Sequence, residues 1–240
     1  MSETHRPMIV SGVKPEASIA IRHNRSYVRV GSRKFGLHVH EESLHTVVKQ
    51  EIVIAFLRMR PGLLWMHAGV VALDDRALLI VAPSAGGKST LVIELLRRGW
   101  HYLSDEAAPI QPGSSMVHPW PRAPARRENS GHLLRSADVG ELPVETEPVP
   151  SDIVRTRAVR VAGVLFPAFA LADEPLFEPV SAGNGAMRML GNVFNFGEHR
   201  NNALVALSRI ATAVPMYSVR YSSGQTAARD ADAIYRSEWK

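Results

Sequence analysis

The sequence predicts an α/β fold with a mixed sheet organised around a phosphate-binding loop, preceded by a small β-rich N-terminal segment. Three observations carry this. Ala77–Val81 is an apolar run of strand length, followed by the small-residue loop Ala82-Pro83-Ser84-Ala85-Gly86-Gly87 and then by Leu91, Val92, Leu95 and Leu96 at helical spacing as far as Gly99. Short runs of strand character lie on both sides of this unit. The 240 residues are 45% hydrophobic and 21% charged, which suits one large domain or one domain with a small appendage. Residues 1–60 are expected to form N-terminal strands plus a helix that pack on the core, and residues 61–240 the loop-containing domain.

The loop reads Ala82-x-x-x-x-Gly87-Lys88-Ser89, a phosphate-loop pattern with Ala in place of the usual first Gly. A polyphosphate needs several converging N–H donors, and only a loop with little side-chain bulk lets the backbone come close enough. The amides of Ala85, Gly86, Gly87, Lys88 and Ser89 form such a cradle, helped by the positive end of the following helix. Lys88 is expected to reach the β- and γ-phosphates of ATP and the Ser89 hydroxyl to ligate Mg²⁺. Thr90 completes the loop signature and begins the helix packing. An ordinary Gly-rich turn between strand and helix is the alternative, disfavoured by the strand before and the stopped helix after.

Ahead of the loop, Pro7–Val13, Ala17–Arg22, Tyr27–Val30 and Lys34–His40 read as strands, with a turn at His23-Asn24-Arg25-Ser26. His38 and His40 share a strand face, which without a third ligand reads as solvated rather than metal-binding. Glu41–Arg60 has helical spacing and stops at Pro61-Gly62. Val70–Leu73 and Ala77–Val81 form a hairpin about Asp74-Asp75 that delivers the chain to the loop. His67 interrupts an apolar stretch; spacing alone favours a core histidine over a catalytic one.

After Gly99, the apolar stretch Trp100–Ser104 ends in Asp105-Glu106. A strand that ends in acid beside a phosphate loop meets Mg²⁺ or an acceptor hydroxyl there. Pro109–His118 reads as a hairpin. Pro119–Arg157 is rich in Pro, Arg, Ser and Glu, has little periodicity, and carries Arg122, Arg126, Arg127 and Glu128. Strands follow at Val159–Phe166 and Leu176–Val180, a helical segment in Ala186–Phe196 leading to Gly197-Glu198-His199-Arg200, a helix at Asn201–Val214, a strand at Met216–Tyr221 and a polar helix at Gln225–Arg236.

The composition narrows the function classes. No cysteine is present, which removes disulfides, thiolate-bound zinc and thiol catalysis together. No apolar run is long enough to span a membrane and no secretory signal is evident, so a soluble cytoplasmic protein without a membrane partner is expected. The net charge of +5 permits an acidic partner. The basic residues lack the interleaved aromatics of a nucleic-acid reader, which disfavours nucleic acid as the main ligand.

Taken together, His67-Ala68-Gly69, Ala82–Thr90, Arg98-Gly99-Trp100 and Ser104-Asp105-Glu106 resemble the C-terminal domain of HPr kinase/phosphorylase and its shorter relatives. The likeness is good over Leu63–Ile110 and weaker at Pro119–Arg122. The short N-terminal strands and the His-Ala-Gly start look most like the stand-alone relatives in peptide-modification clusters, lasso-peptide precursor kinases among them. The resemblance implies a phosphoenolpyruvate-carboxykinase-like core and phosphoryl transfer from ATP to a serine hydroxyl. It carries Lys88 and Ser89 over as phosphate and Mg²⁺ ligands, and Asp105 as the group that takes the serine proton and adjoins the metal. His67 would orient the reacting groups and Glu106 help to hold the metal. An arginine closing over the γ-phosphate is expected, with Arg122, Arg126 and Arg200 as candidates. The glycine-rich Arg-Gly-Leu-Gly signature of the bifunctional enzymes is absent; Pro121–Glu128 stands in its place. HPr as acceptor, phosphorolysis and hexameric assembly are therefore not carried over, and oligomeric state stays open.

Three readings follow. The leading one is a serine kinase acting on a peptide or small protein, a ribosomal peptide precursor included. The second is a small-molecule kinase acting on, for example, a free amino acid. The third is a nucleotide-binding chaperone or switch without transfer chemistry, disfavoured by the presence of His67, Asp105 and Glu106 together.

Overall fold

The computed structural model describes residues 17–22, 25–30, 33–37, 57, 59–83, 86–121, 125–127, 144–146, 149–171 and 174–238. The chain divides into two compact units, Met1–Arg60 and Pro61–Lys240. Within the first, β1 (Ala17–Arg22), β2 (Arg25–Val30) and β3 (Arg33–Leu37) form an antiparallel meander. Arg22 pairs with Arg25 and Val30 with Arg33, so each connection is two residues long. The four-residue turn expected at His23–Ser26 is corrected accordingly: Arg25 and Ser26 already belong to the ladder. The strand expected at Pro7–Val13, the pair His38 and His40 and nearly all of the Glu41–Arg60 helix lie outside the described residues.

The second unit is built on a nine-stranded mixed sheet. Its strands are β4 (Leu64–Met66), β5 (Ala68–Leu73), β6 (Arg76–Val81), β7 (His101–Ser104), β8 (Ala108–Gln111), β9 (Met116–Val117), β12 (Val159–Phe169), β13 (Leu176–Pro179) and β14 (Met216–Tyr221). The main order is β4-β8-β9-β12-β6-β5-β7, with β14 on β12 and β13 on β14. β12 runs parallel to β6 and to β14, whereas β5 is antiparallel to both β6 and β7. The hairpin about Asp74-Asp75 forms as the sequence predicts. Leu73 pairs with Arg76, and the two aspartates take φ of 49° and 59°, the left-handed pair that a tight two-residue hairpin needs.

Helices cover both faces. Along β6, Ala77, Leu79 and Val81 face one cluster while Leu78 and Ile80 face the other, the period of two that a sheet buried on both sides requires. α1 (Lys88–Leu96) and α5 (Gly224–Glu238) supply one cluster with Leu91, Val92, Leu95, Ala227, Ala228 and Ala231. α2 (Ala182–Leu190) and α4 (Asn201–Ala213) supply the other with Met189, Ala203, Ala206, Leu207 and Ile210. Leu91 and Leu95 are fully buried, each contributing about 1.5–3 kcal/mol over an exposed side chain. Along β12, Val161 and Val164 face the same cluster despite their odd spacing, because the ladder with β6 shifts register between Val161 and Gly163.

One expectation needs its bounds corrected. The helical segment placed at Ala186–Phe196 runs instead from Ala182 to Leu190, started by Ser181, whose hydroxyl accepts from the Asn184 amide at 3.5 Å. The chain beyond it leaves the helix to line the edge of β4, with Phe194 N donating to Trp65 O at 2.8 Å and Asn195 Oδ1 accepting from Trp65 N at 3.0 Å. The connection at Pro119–Arg157, of little periodicity in sequence, has regular structure among its described residues. It holds the antiparallel pair β10 (Ala125–Arg127) and β11 (Val144–Thr146), and a 3₁₀ turn at Ser151–Ile153.

Candidate active site

Sheet register decides what meets at the site. Ala68 pairs with Val81 and Val70 with Ser104, so the start of β5 and the ends of β6 and β7 share one edge. His67, Ala82 and Asp105 each stand one residue beyond those pairs. Three stretches that the sequence read separately therefore converge. Gly69 lets α1 down onto this edge, since a Cβ there would come 2.6 Å from Val92 Cγ2 and within van der Waals contact of Ile80.

The loop closes into the helix at Gly87, the residue before Lys88, with φ of 89°. Gly86 is equally confined: a Cβ would lie 2.8 Å from Ala82 Cβ and 3.0 Å from Pro83 O. Lys88 is 6% exposed, and its Nζ donates to Ala82 O at 2.8 Å and Pro83 O at 2.9 Å. The ammonium thus lies folded over its own loop. Ser89 Oγ donates to Asp105 Oδ2 at 3.3 Å. Thr90 turns its methyl to the start of α5, where Gly224 leaves it room, which fits its packing role. Ala85 lies outside the described residues.

The acidic turn is built by Ser104. This side chain is fully buried, and its Oγ accepts from the Glu106 and Ala107 amides at 3.3 and 3.1 Å. The turn sets Asp105, itself 7% exposed, facing α1, and Tyr102 OH donates to Asp105 Oδ1 at 3.3 Å. A buried carboxylate needs such donors.

His67 Nδ1 lies 3.0 Å from Glu106 O. A backbone carbonyl only accepts, so Nδ1 carries the proton and Nε2 keeps its lone pair. Burial, and secondarily the Lys88 charge, lower the imidazole pKa from its usual value; the Glu106 carbonyl and carboxylate offset part of this. His67 is thus a neutral acceptor near neutral pH. Its ring also meets Phe194, with centroids 5.6 Å apart. His67 therefore lies between the acidic turn and Phe194, at the edge where the loop also ends.

The arginines divide differently. Arg126 and Arg127 lie on β10, which runs beside α1. Arg122 lies outside the described residues. Arg200 sits exposed between α3 (Phe196–His199) and α4, with φ of 41° and its Nε on Gly197 O at 3.3 Å, a local contact within its own turn. Two participants escaped sequence reasoning. Tyr102 is three residues before Asp105, and Tyr221 OH donates to Gly87 O at 2.9 Å from the far end of the chain. Only the position of Tyr221 at the end of an apolar strand, before Ser222-Ser223-Gly224, hinted at it.

The donor set fits a magnesium nucleotide. Gly86 and Gly87 add no side chain where the loop enters the helix, Lys88 supplies a buried cation, and the hydroxyl and carboxylate of Ser89 and Asp105 are hard oxygen ligands. Among the described residues no group of three or more His, Cys, Asp or Glu could hold a metal. Among the same residues no helix is long and apolar enough to cross a membrane.

The sequence matches no family model and no curated protein. Among solved structures it is similar to the HPr(Ser) kinase/phosphatase from Coxiella burnetii, at 14% identity and a TM-score of 0.35, over 72% of this chain and 93% of that one.

Proposed function

We propose that this chain is an ATP-dependent serine kinase that transfers the γ-phosphoryl group to a serine of a peptide or small protein. The observation that carries the reading is the 3.3 Å contact between Ser89 Oγ and Asp105 Oδ2, which sets an acid against the first helical turn of a phosphate loop. Bound Mg·ATP supplies the phosphoryl group, with the metal neutralising phosphate charge. Lys88 moves its ammonium from the Ala82 and Pro83 carbonyls to the phosphates, and the loop amides hold them. Ser89 and Asp105 would hold the metal, with Glu106 next to Asp105 on the same turn.

Asp105 accepts the proton of the acceptor hydroxyl as the serine oxygen bonds to the γ-phosphorus and the bond to the β-phosphate oxygen breaks, releasing ADP. His67 stands beside Asp105 and helps to position the acceptor, while the single proton of that hydroxyl goes to Asp105. The neutrality of His67 is useful beside Lys88, since a second cation there would repel the first. Arg126 and Arg127, on a strand beside α1, suit an acidic or C-terminal stretch of the acceptor. Calorimetric titration of the chain with ATP, with and without Mg²⁺, tests the nucleotide part. Metal-dependent binding that Lys88→Ala weakens supports the reading, and absence of binding contradicts it.

A further inference from the structure

Tyr221 ends β14 and is 1% exposed. Its hydroxyl donates at 2.9 Å to Gly87 O, which also accepts from the Leu91 amide at 3.1 Å as the first bond of α1. Loop and strand are fitted to each other here. Gly87 holds a left-handed φ, and any Cβ on it would run into the Tyr221 hydroxyl.

The consequence lies in the other half of the same peptide. In a trans peptide the C=O and the following N–H point in opposite directions. Drawing Gly87 O inward along α1 therefore turns the Lys88 N–H out of the helix N-terminus, where an anion is met. The Leu91 bond alone leaves that first peptide free to tilt, as unsupported helix ends fray. A second donor from a core strand removes the tilt. Burial also pushes the Tyr221 phenol above its usual pKa, so it is a donor at neutral pH.

We infer that Tyr221 is a positioning residue for nucleotide phosphates: its hydroxyl fixes the Gly87–Lys88 peptide so that the Lys88 amide faces a phosphate oxygen. The inference rests on the nucleotide reading above and adds to the cradle a group 134 residues away in sequence. A hydroxyl that merely satisfies a buried carbonyl would affect stability and leave phosphate affinity alone.

The test compares the full-length chain with Tyr221→Phe and Lys88→Ala by calorimetry, with Mg·ATP and with pyrophosphate as a probe of the cradle alone. The Lys88 amide is followed by ¹⁵N NMR. One hydrogen bond sets the scale, so Tyr221→Phe is expected to weaken both ligands about 2- to 10-fold per folded molecule and to shrink the downfield move of the Lys88 amide on pyrophosphate binding. If the wild type and Tyr221→Phe bind alike while Lys88→Ala binds poorly, the positioning role falls and the nucleotide reading stands. If the wild type binds neither ligand, both fall. Should Tyr221→Phe not fold, the wild-type Tyr221 hydroxyl proton is observed instead. Slow exchange and a shift in step with the Lys88 amide on adding pyrophosphate support the inference, and a freely exchanging or unresponsive proton overturns it.

Discussion

Ser89 Oγ donates to Asp105 Oδ2 across 3.3 Å, joining the first turn of α1 to the turn that follows β7. The two residues are 16 apart in sequence and are brought together by strands rather than by local structure. β5 lies between β6 and β7, so the loop leaving β6 and the turn leaving β7 flank the start of β5 and His67.

Asp105→Asn keeps the shape and removes the proton acceptor. ATP binding is expected to persist at a raised Mg²⁺ requirement, since Asp105 also meets the metal, while transfer to serine falls by about 10²–10⁴-fold. Single-turnover assays alongside nucleotide titration check this. Transfer that survives with only an altered Mg²⁺ requirement assigns Asp105 to the metal alone and makes Glu106 the base.

Lys88→Ala removes the buried ammonium. A charge-assisted hydrogen bond is worth roughly 1.5–3 kcal/mol, so ATP affinity should fall by at least about tenfold and turnover further. Unchanged ATP turnover contradicts the phosphate-loop assignment. Circular dichroism accompanies the assay, because Ala82 O and Pro83 O lose a donor in the variant.

His67 ties activity and stability to pH. Its folded pKa lies below the ordinary 6.5, so between the two values the unfolded chain binds the proton more readily. Stability therefore rises with pH through that window, is fully present above 6.5, and is lost as pH falls toward the folded value. Urea unfolding from pH 5 to 7.5 should show this slope in the wild type and a flatter one in His67→Gln. An unchanged slope would place the titration elsewhere.

Arg126 and Arg127 concern the acceptor. Charge reversal at both is expected to raise the apparent KM for an acidic peptide and to leave ATP binding nearly intact, with the wild-type peptide affinity falling as salt rises. Steady-state kinetics at two salt concentrations check this. Equal peptide KM in the variant contradicts a docking role for the basic strand.

Much of this architecture was legible because local rules act strongly there. Ala77–Val81, Gly87, and Leu91 with Leu95 each satisfy a strand, loop or helix requirement on their own, and Asp74-Asp75 demands its turn. Ala182–Leu190 was misplaced because Gly183 and Gly185 dilute the helical signal and the Ser181 cap does not stand out among neighbouring small residues. The Pro119–Arg157 connection hid its organisation because long-range partners hold it. Trp120 N donates to Leu103 O at 2.9 Å and Arg155 N to Tyr102 O at 2.9 Å, so both ends of the excursion are tied to the strand that presents Asp105. The tyrosines of the site were hidden for the same reason. Tyr221 meets Gly87 only through the parallel β6, β12 and β14 order, which periodicity does not disclose.

Phosphoryl transfer to serine is tested most directly by mass spectrometry after incubating the chain with ATP, Mg²⁺ and a set of short peptides that carry a serine near acidic residues or near the C-terminus. The account predicts one added phosphate on a serine of one such peptide, abolished by Asp105→Asn. Phosphate on free serine or another metabolite, with none on any peptide, would contradict it in favour of a small-molecule kinase.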